Sequence, residues 1–581
     1  MQRSDRKRGL YRLCLVLAAA SACSDNDDAS QTTGHHTVAD AGDAAVVTHD
    51  ASSPMGDAGE HDQADGQADE NHAVTVTVEQ GDLRGSRVRD VRRFLGIPYA
   101  KPPVGELRWK RPQAPEAWST PRDATQYGKR CAQLDSAVLM NPASEDEDCL
   151  YLNVWAPSDA RDLPVMVWIH GGGNVNGSAS ELVPYTRPDA QEYFYDGEKL
   201  ARKDVVLVSI NYRLGVFGFL SHPDLDEDGK PSGNQGIWDQ VAALKWVQKN
   251  VEAFGGDPSN VTIFGESAGS YDVCLHVASA QTQGLFHRAI SQSGGCTTVM
   301  LTKPQAEATS GALATAVGCA GEDVLACLRG KDVPALLGAA SMLPASATGR
   351  TLSPTVDGDY LSDQPRALYQ SGNINKVPYV LGSNTDEGTL FTAATLTTEE
   401  QYDAALDMQF PGRRDEIKAL YPLAAFQDAM PNPAQAAFVR VIGDARLVCS
   451  TTDSARLAAA HAPNVYTYNF DIAVDPALSP TFLGATHGAE LAYVFQTSSR
   501  FAEGQTAASE LMQRYWTQFA RTGDPNGSSD PEWPTYTKGS DQRMNLAIEA
   551  SAVVDDFRKP ECDYWIAGYE QTFEAATALA P

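Results

Sequence analysis

Val261-Thr262-Ile263-Phe264-Gly265-Glu266-Ser267-Ala268-Gly269 is an apolar run that ends in a glycine-flanked serine, and a helix-compatible stretch, Ser270 to Ala280, follows it. Strand, sharp turn and helix form the context in which G-x-S-x-G carries chemistry. Both glycines permit a turn that leaves the Ser267 hydroxyl exposed. Upstream, Val165 to Ile169 and Val205 to Ile210 are continuous apolar runs of the kind found in strands buried on both faces. Between Ile210 and Val261, Ile237 to Val251 places Trp238, Val241, Leu244 and Val247 at helical spacing, and Gly255-Gly256-Asp257-Pro258 reads as the end of that unit. Strand, helix, strand with doubly apolar strands predicts an α/β fold: a large, mostly parallel, twisted sheet with helices on both faces.

A serine that attacks a carbonyl needs donors for the oxyanion it creates. His170-Gly171-Gly172-Gly173, directly after the Val165 to Ile169 strand, offers main-chain N–H groups that can approach closely. Gly172 and Gly173, with Ala268 after the nucleophile, are the expected oxyanion-hole donors. In chain order the acid and then the histidine follow such a serine. Beyond residue 73 and apart from His170, the histidines are His222, His276, His287, His461 and His487. His487 lies in Gly484-Ala485-Thr486-His487-Gly488, a glycine-flanked loop before the apolar Leu491 to Phe495, and is the expected base. The acid is sought in Gly382-Ser383-Asn384-Thr385-Asp386-Glu387-Gly388, after the apolar Val377 to Leu381, where spacing leaves Asp386 and Glu387 equally open. With its reference pKa the base would lose activity below about pH 6.

Further motifs stand in order along the chain: Phe94-Leu95-Gly96-Ile97-Pro98-Tyr99-Ala100, Glu147-Asp148-Cys149-Leu150-Tyr151-Leu152-Asn153, Asn211-Tyr212-Arg213-Leu214-Gly215 and Phe519-Ala520-Arg521-Thr522-Gly523-Asp524-Pro525. With the serine and glycine loops, they make the chain from Val74 onward resemble the type-B carboxylesterase family, which includes cholinesterases. The resemblance implies an α/β-hydrolase fold, a serine esterase acting on a small-molecule carboxylic ester through an acyl-enzyme on Ser267, and no metal or organic cofactor. It places the acid on Glu387 and the base on His487, and implies disulfides Cys131–Cys149, Cys319–Cys327 and Cys449–Cys562. Two positions depart from cholinesterases: Leu139-Met140-Asn141-Pro142 lacks their choline-stacking tryptophan, and Leu390 stands where they have an aromatic. A quaternary ammonium needs aromatic faces, so a general esterase is expected. A catalytically silent adhesion or binding module is the competing reading. Such relatives typically lack the nucleophile, which is present here. The same triad acting on glycerides, carbamates or amides also stays open.

The cysteines support export. Of ten, Cys14 and Cys23 fall in a basic-then-apolar leader, leaving an even eight for an oxidising compartment. Cys274, seven residues past the nucleophile, and Cys296, after the next strand, are predicted to pair and brace the nucleophile helix; two buried free thiols are the alternative. Residues 1–23 carry a charge of +4 and the apolar run Leu13 to Ala20, the form of a signal peptide. Ala20-Ser21-Ala22-Cys23 resembles a bacterial lipobox with Cys23 as the lipidated residue; Leu is usual at the Ala20 position, so plain cleavage to a periplasmic or secreted enzyme stays open. Residues 24–73 hold ten Asp, two Glu and no Lys or Arg, an acidic tether too poor in apolar groups to fold. Residues 74–581 form the catalytic domain. The whole chain of 581 residues has a net charge of -29, which repels phosphate backbones, so no nucleic-acid partner is expected. Asp224-Leu225-Asp226-Glu227-Asp228-Gly229 opens like a calcium loop, but its twelfth position is Gln235; it reads as a solvated acidic turn, and no metal site is assigned. Nothing in the sequence fixes an oligomeric state.

Overall fold

The computed structural model describes residues 72–136, 142–182, 193–344, 351–474, 484–497 and 501–578, apart from residues 228, 322, 393, 394, 502, 503, 528 and 538. Residues 1–71, with the expected signal peptide, Cys23 and most of the expected tether, lie outside the described residues.

The strands in chain order are β1 (His72–Val78), β2 (Gly81–Val88), β3 (Val91–Pro98), β4 (Arg122–Asp123), β5 (Tyr151–Pro157), β6 (Leu163–Ile169), β7 (Val206–Ile210), β8 (Gly256–Glu266), β9 (Arg288–Gln292), β10 (Leu301–Thr302), β11 (Thr355–Val356), β12 (Tyr379–Asn384), β13 (Val465–Phe470), β14 (Arg543–Leu546) and β15 (Ala552–Val554). Thirteen of them, among the described residues, make one sheet in the order β1-β2-β3-β5-β7-β6-β8-β9-β12-β13-β14-β15, with β4 on β2; β10 and β11 pair separately. From β7 to β14 every neighbouring pair is parallel. The antiparallel pairs lie toward the two edges.

Side chains alternate across a strand, and β6 shows why its sequence is apolar throughout. Val165, Val167 and Ile169 enter a core on one face of the sheet. Met166 and Trp168 enter a second core on the other. All five are fully buried, and each such side chain contributes roughly 1.5–3 kcal/mol. The helix Gln235–Asn250 covers the first face with Ile237, Trp238, Val241, Leu244 and Val247. The helix Gln505–Thr522 covers the second with Met512, Tyr515, Trp516 and Phe519.

One sequence boundary shifts. Gly255, at φ +86°, ends the helical segment as expected, but Gly256, Asp257 and Pro258 already belong to β8. The ladder to β6 jumps from Leu163–Gly256 to Val165–Val261. Pro258 sits in that irregular span, where its missing N–H removes no ladder bond.

Four disulfides join Cys131–Cys149, Cys274–Cys296, Cys319–Cys327 and Cys449–Cys562. The second ties the helix Ala268–Ala278 to the loop after β9. Disulfides of this number belong to an oxidising compartment, and so to an exported protein. Among the described residues no helix is long and apolar enough to cross a membrane.

Candidate active site

The parallel strands β6, β8, β9 and β12 end at one edge of the sheet, and the loops leaving those ends carry the expected residues. In open α/β sheets this carboxyl edge is where ligands bind. Ser267 falls between β8 and the helix Ala268–Ala278 with φ 55° and ψ -119°, a left-handed conformation that a non-glycine residue adopts only under constraint. The surroundings supply it. Ser267 N–H donates to the Gln292 carbonyl at 2.9 Å, and the Ser267 carbonyl accepts from Tyr271 N–H at 3.0 Å. A Cβ on Gly269 would stand 2.0 Å from the Ile169 carbonyl oxygen, so only glycine lets strand and helix approach this closely.

The glycine loop lies against the serine. A Cβ on Gly171 would meet the Glu266 carboxylate at 2.8 Å and Ser267 Cβ at 3.1 Å. Gly172 and Gly173 take φ values of +100° and +67°. Among the described residues no hydrogen bond takes the N–H of Gly172, Gly173 or Ala268. The loop is held by a buried polar group invisible to motif reading: Asn174 Nδ2 donates to Asp272 Oδ1 at 3.0 Å, tying the loop to the helix Ala268–Ala278, and the Tyr212 hydroxyl donates to the His170 carbonyl at 2.8 Å.

Glu387 follows β12 and is fully buried. Its Oε1 accepts from Asn384 N–H at 2.7 Å, and its Oε2 lies 2.7 Å from His487 Nδ1. Asp386 points elsewhere: its Oδ2 accepts from Ala485 N–H at 3.0 Å, and its own N–H donates to the Ala485 carbonyl at 2.9 Å. Geometry thus separates two carboxylates that spacing could not. His487 Nε2 stands 3.1 Å from Glu266 Oε1, but the two are not aligned for a hydrogen bond, and buried Nε2 has no hydrogen-bond partner. The structure joins imidazole to acid and shows no hydrogen bond from His487 to Ser267.

A third buried carboxylate, Glu490, was not singled out from sequence. It accepts from Gln292 Nε2 at 3.1 Å and from Asn384 Nδ2 at 2.5 Å. Only its position three residues after His487, ahead of the helix Leu491–Phe495, hinted at it. Burial favours the neutral acid of Glu266, and with the neighbouring Glu490 and Glu387 it pushes that group up to about 8 despite the nearby His487. Burial alone would lower His487, yet Glu266, Glu387 and Glu490 outweigh it and push the imidazole up to about 9. The acid limb expected near pH 6 is therefore displaced upward. A base must be neutral to take a proton, so kcat/KM should rise with pH through a midpoint above the usual 6.5 of histidine. Glu266→Gln removes one lifting carboxylate and should move that midpoint down, toward the reference value, in a pH–rate profile; an unmoved limb would contradict this account.

The other histidines are committed elsewhere. His276 bonds Gln240 and Tyr360 at 2.8 Å each, and burial pushes it down to about 3. His170 stacks on Tyr212, His287 accepts from Val261 N–H, His222 accepts from Asp224 N–H, and His461 reaches the Gln370 carbonyl. In the calcium-like stretch Asp226 is paired with Lys303 at 2.8 Å, and Asp228 lies outside the described residues. No cluster able to hold a metal occurs among the described residues. Leu390 is partly exposed beside the acid loop, whereas Leu139 to Asn141 lie outside the described residues.

Comparison with known proteins agrees with this architecture. The family model described as the carboxylesterase family matches residues 72–565. A cholinesterase of Mus musculus is 36% identical over 533 residues, covering 84% of this chain and 86% of that protein. With its large, mostly parallel sheet and this match over most of its length, the chain belongs to the carboxylesterase family of ester hydrolases, with the α/β-hydrolase fold.

Proposed function

We propose that the protein is a type-B carboxylesterase that cleaves small carboxylic esters through an acyl-enzyme on Ser267. The observation that carries this reading is the 2.7 Å pair of Glu387 Oε2 and His487 Nδ1, set at the same sheet edge as the constrained Ser267. Glu387 fixes the tautomer that leaves Nε2 unprotonated and stabilises the imidazolium formed later. His487 Nε2 takes the Ser267 proton as Oγ bonds to the ester carbonyl carbon. The oxyanion is met by the N–H groups of Gly172, Gly173 and Ala268; collapse breaks the ester C–O bond, and Nε2 returns the proton to the departing alkoxide. Water, activated by the same imidazole, then releases the acid and regenerates Ser267. The reaction requires Ser267 Oγ to reach the unpartnered Nε2 of His487. The constrained φ of Ser267 favours an enzyme over a silent binding module, since such strain persists where it serves a site. The test is covalent: an aryl phosphonate ester should label Ser267 in the wild type and leave Ser267→Ala unlabelled.

Residues 1–23 are read as an export signal and 24–71 as an acidic tether holding the catalytic domain away from a surface; His72 and Ala73, expected in the tether, pair with Arg87 and Ser86 in β1 instead. Attachment through Cys23 predicts that the mature protein made in an exporting bacterial host partitions into detergent and that Cys23→Ser moves it to the aqueous phase. Wild-type protein in the aqueous phase would leave plain cleavage.

A further inference from the structure

Ser267, Tyr271, Thr298, Phe391 and Arg446 are each partly exposed, while the residues behind them are buried. The Phe391 ring packs on His487 with centroids 5.2 Å apart, and the Arg446 guanidinium lies over the other end of that contact, 5.7 Å from the Phe391 centroid. Tyr271, one helical turn past the nucleophile, has its hydroxyl 3.1 Å from Thr298 Oγ1. The guanidinium therefore stands one ring away from the base.

Arg446 has no carboxylate partner among the described residues, a lack it shares with Arg92, Arg440 and Arg543. Several part-buried arginines are matched to carboxylates: Arg108 with Glu147, Arg213 with Asp239, Arg366 with Asp453, Arg456 with Asp541 and Arg558 with Asp444. Among the described residues no hydrogen bond or ion pair takes the Arg446 guanidinium, although the chain carries 75 acidic residues against 46 basic ones. Contact with Phe391 near the outer limit of a cation–π interaction leaves all five N–H donors unused. A guanidinium fork is the residue of choice for a carboxylate, and its charge-assisted bonds strengthen as water is excluded. Arg446 also sits in the π-helical turn Asp444–Val448, an irregularity frequent at functional sites.

We propose that Arg446 is a carboxylate-recognition subsite of the Ser267 cleft, and that the preferred substrates are esters bearing a free carboxylate. This rests on Ser267 and His487 being the reacting pair. Buried carboxyl groups of Glu266, Glu387 and Glu490 crowd the base, and Arg446 supplies a fixed positive charge that favours an anionic substrate. Two ring contacts separate guanidinium from imidazole, so the carboxylate would lie roughly three to five bonds, at about 1.5 Å each, from the scissile carbonyl. That spacing fits a half-ester of a short dicarboxylic acid, or an acetyl ester of a short hydroxy acid.

The experiment compares kcat/KM for three probes: an aryl hemiglutarate, its methyl-capped neutral counterpart, and an acetyl ester whose alcohol carries the carboxylate. The wild type should favour a charged probe over the neutral one, and the probe favoured tells which side of the ester faces Arg446. Arg446→Gln should lower the charged-to-neutral ratio by about ten-fold or more, Arg446→Lys should restore part of it, and added salt should shrink it. A wild type that favours the neutral ester over both charged ones overturns the proposal, as does a ratio that Arg446→Gln leaves unmoved. Neutral-ester turnover that survives Ser267→Ala would instead overturn the underlying reading.

Discussion

Ser267→Ala is expected to lower kcat for a short-chain aryl ester by on the order of 10⁶ while leaving the thermal midpoint close to wild type. The magnitude follows from losing the nucleophile of a unit whose members act together; what survives is the oxyanion hole and binding, worth about 10³ to 10⁴ over water. The fold should tolerate the change. The hydrogen bonds that hold Ser267 at φ 55° are made by its main chain, to Gln292 and Tyr271, and Ala268 and Gly269 keep the turn. The constrained backbone remains constrained with alanine, so little stability is gained or lost. Steady-state kinetics with a thermal melt checks both halves; a variant that keeps more than about a hundredth of the wild-type rate, a loss below roughly 2.7 kcal/mol of transition-state binding, would remove Ser267 as nucleophile.

The sheet was legible because its central strands are buried on both faces and so cannot alternate: Val165 to Ile169 and Val205 to Ile210 announce themselves by continuity. The start of β8 was not, because a glycine and a proline at a bulge mimic a turn. Motifs located the serine, the glycine loop and the histidine loop, since each depends on local backbone geometry that glycine records. Side chains that converge from separate strand ends leave no such record. Gln292 at the end of β9, Asn384 at the end of β12 and Glu490 before a helix meet only in three dimensions. Arg446 escaped for a related reason: its neighbour Phe391 is more than fifty residues away, and a π turn follows no helical period.

Adjacent carboxylates pose the sharper test. Glu387→Gln should lower kcat by on the order of 10³ to 10⁴, and Asp386→Asn by less than about ten-fold. Glu387 is fully buried, with one oxygen accepting from Asn384 N–H and the other 2.7 Å from His487 Nδ1. A glutamine there keeps the shape, but its carbonyl can serve only one of these donors. If its amide nitrogen faces Nδ1, that nitrogen must accept, the proton moves to Nε2, and the imidazole can no longer take one from Ser267. Loss of the carboxylate also removes a charge that lifts His487, so the remaining activity should reach its plateau at lower pH than in the wild type. Asp386 faces the opposite way. Its Oδ2 accepts from Ala485 N–H, and an asparagine carbonyl can do the same. Its effect should appear in the stability of the His487 loop more than in turnover, because the Asp386 main chain still pairs with Ala485. Should Asp386→Asn prove the more damaging to kcat with the fold intact, the imidazole is oriented by a different carboxylate from the one the geometry indicates.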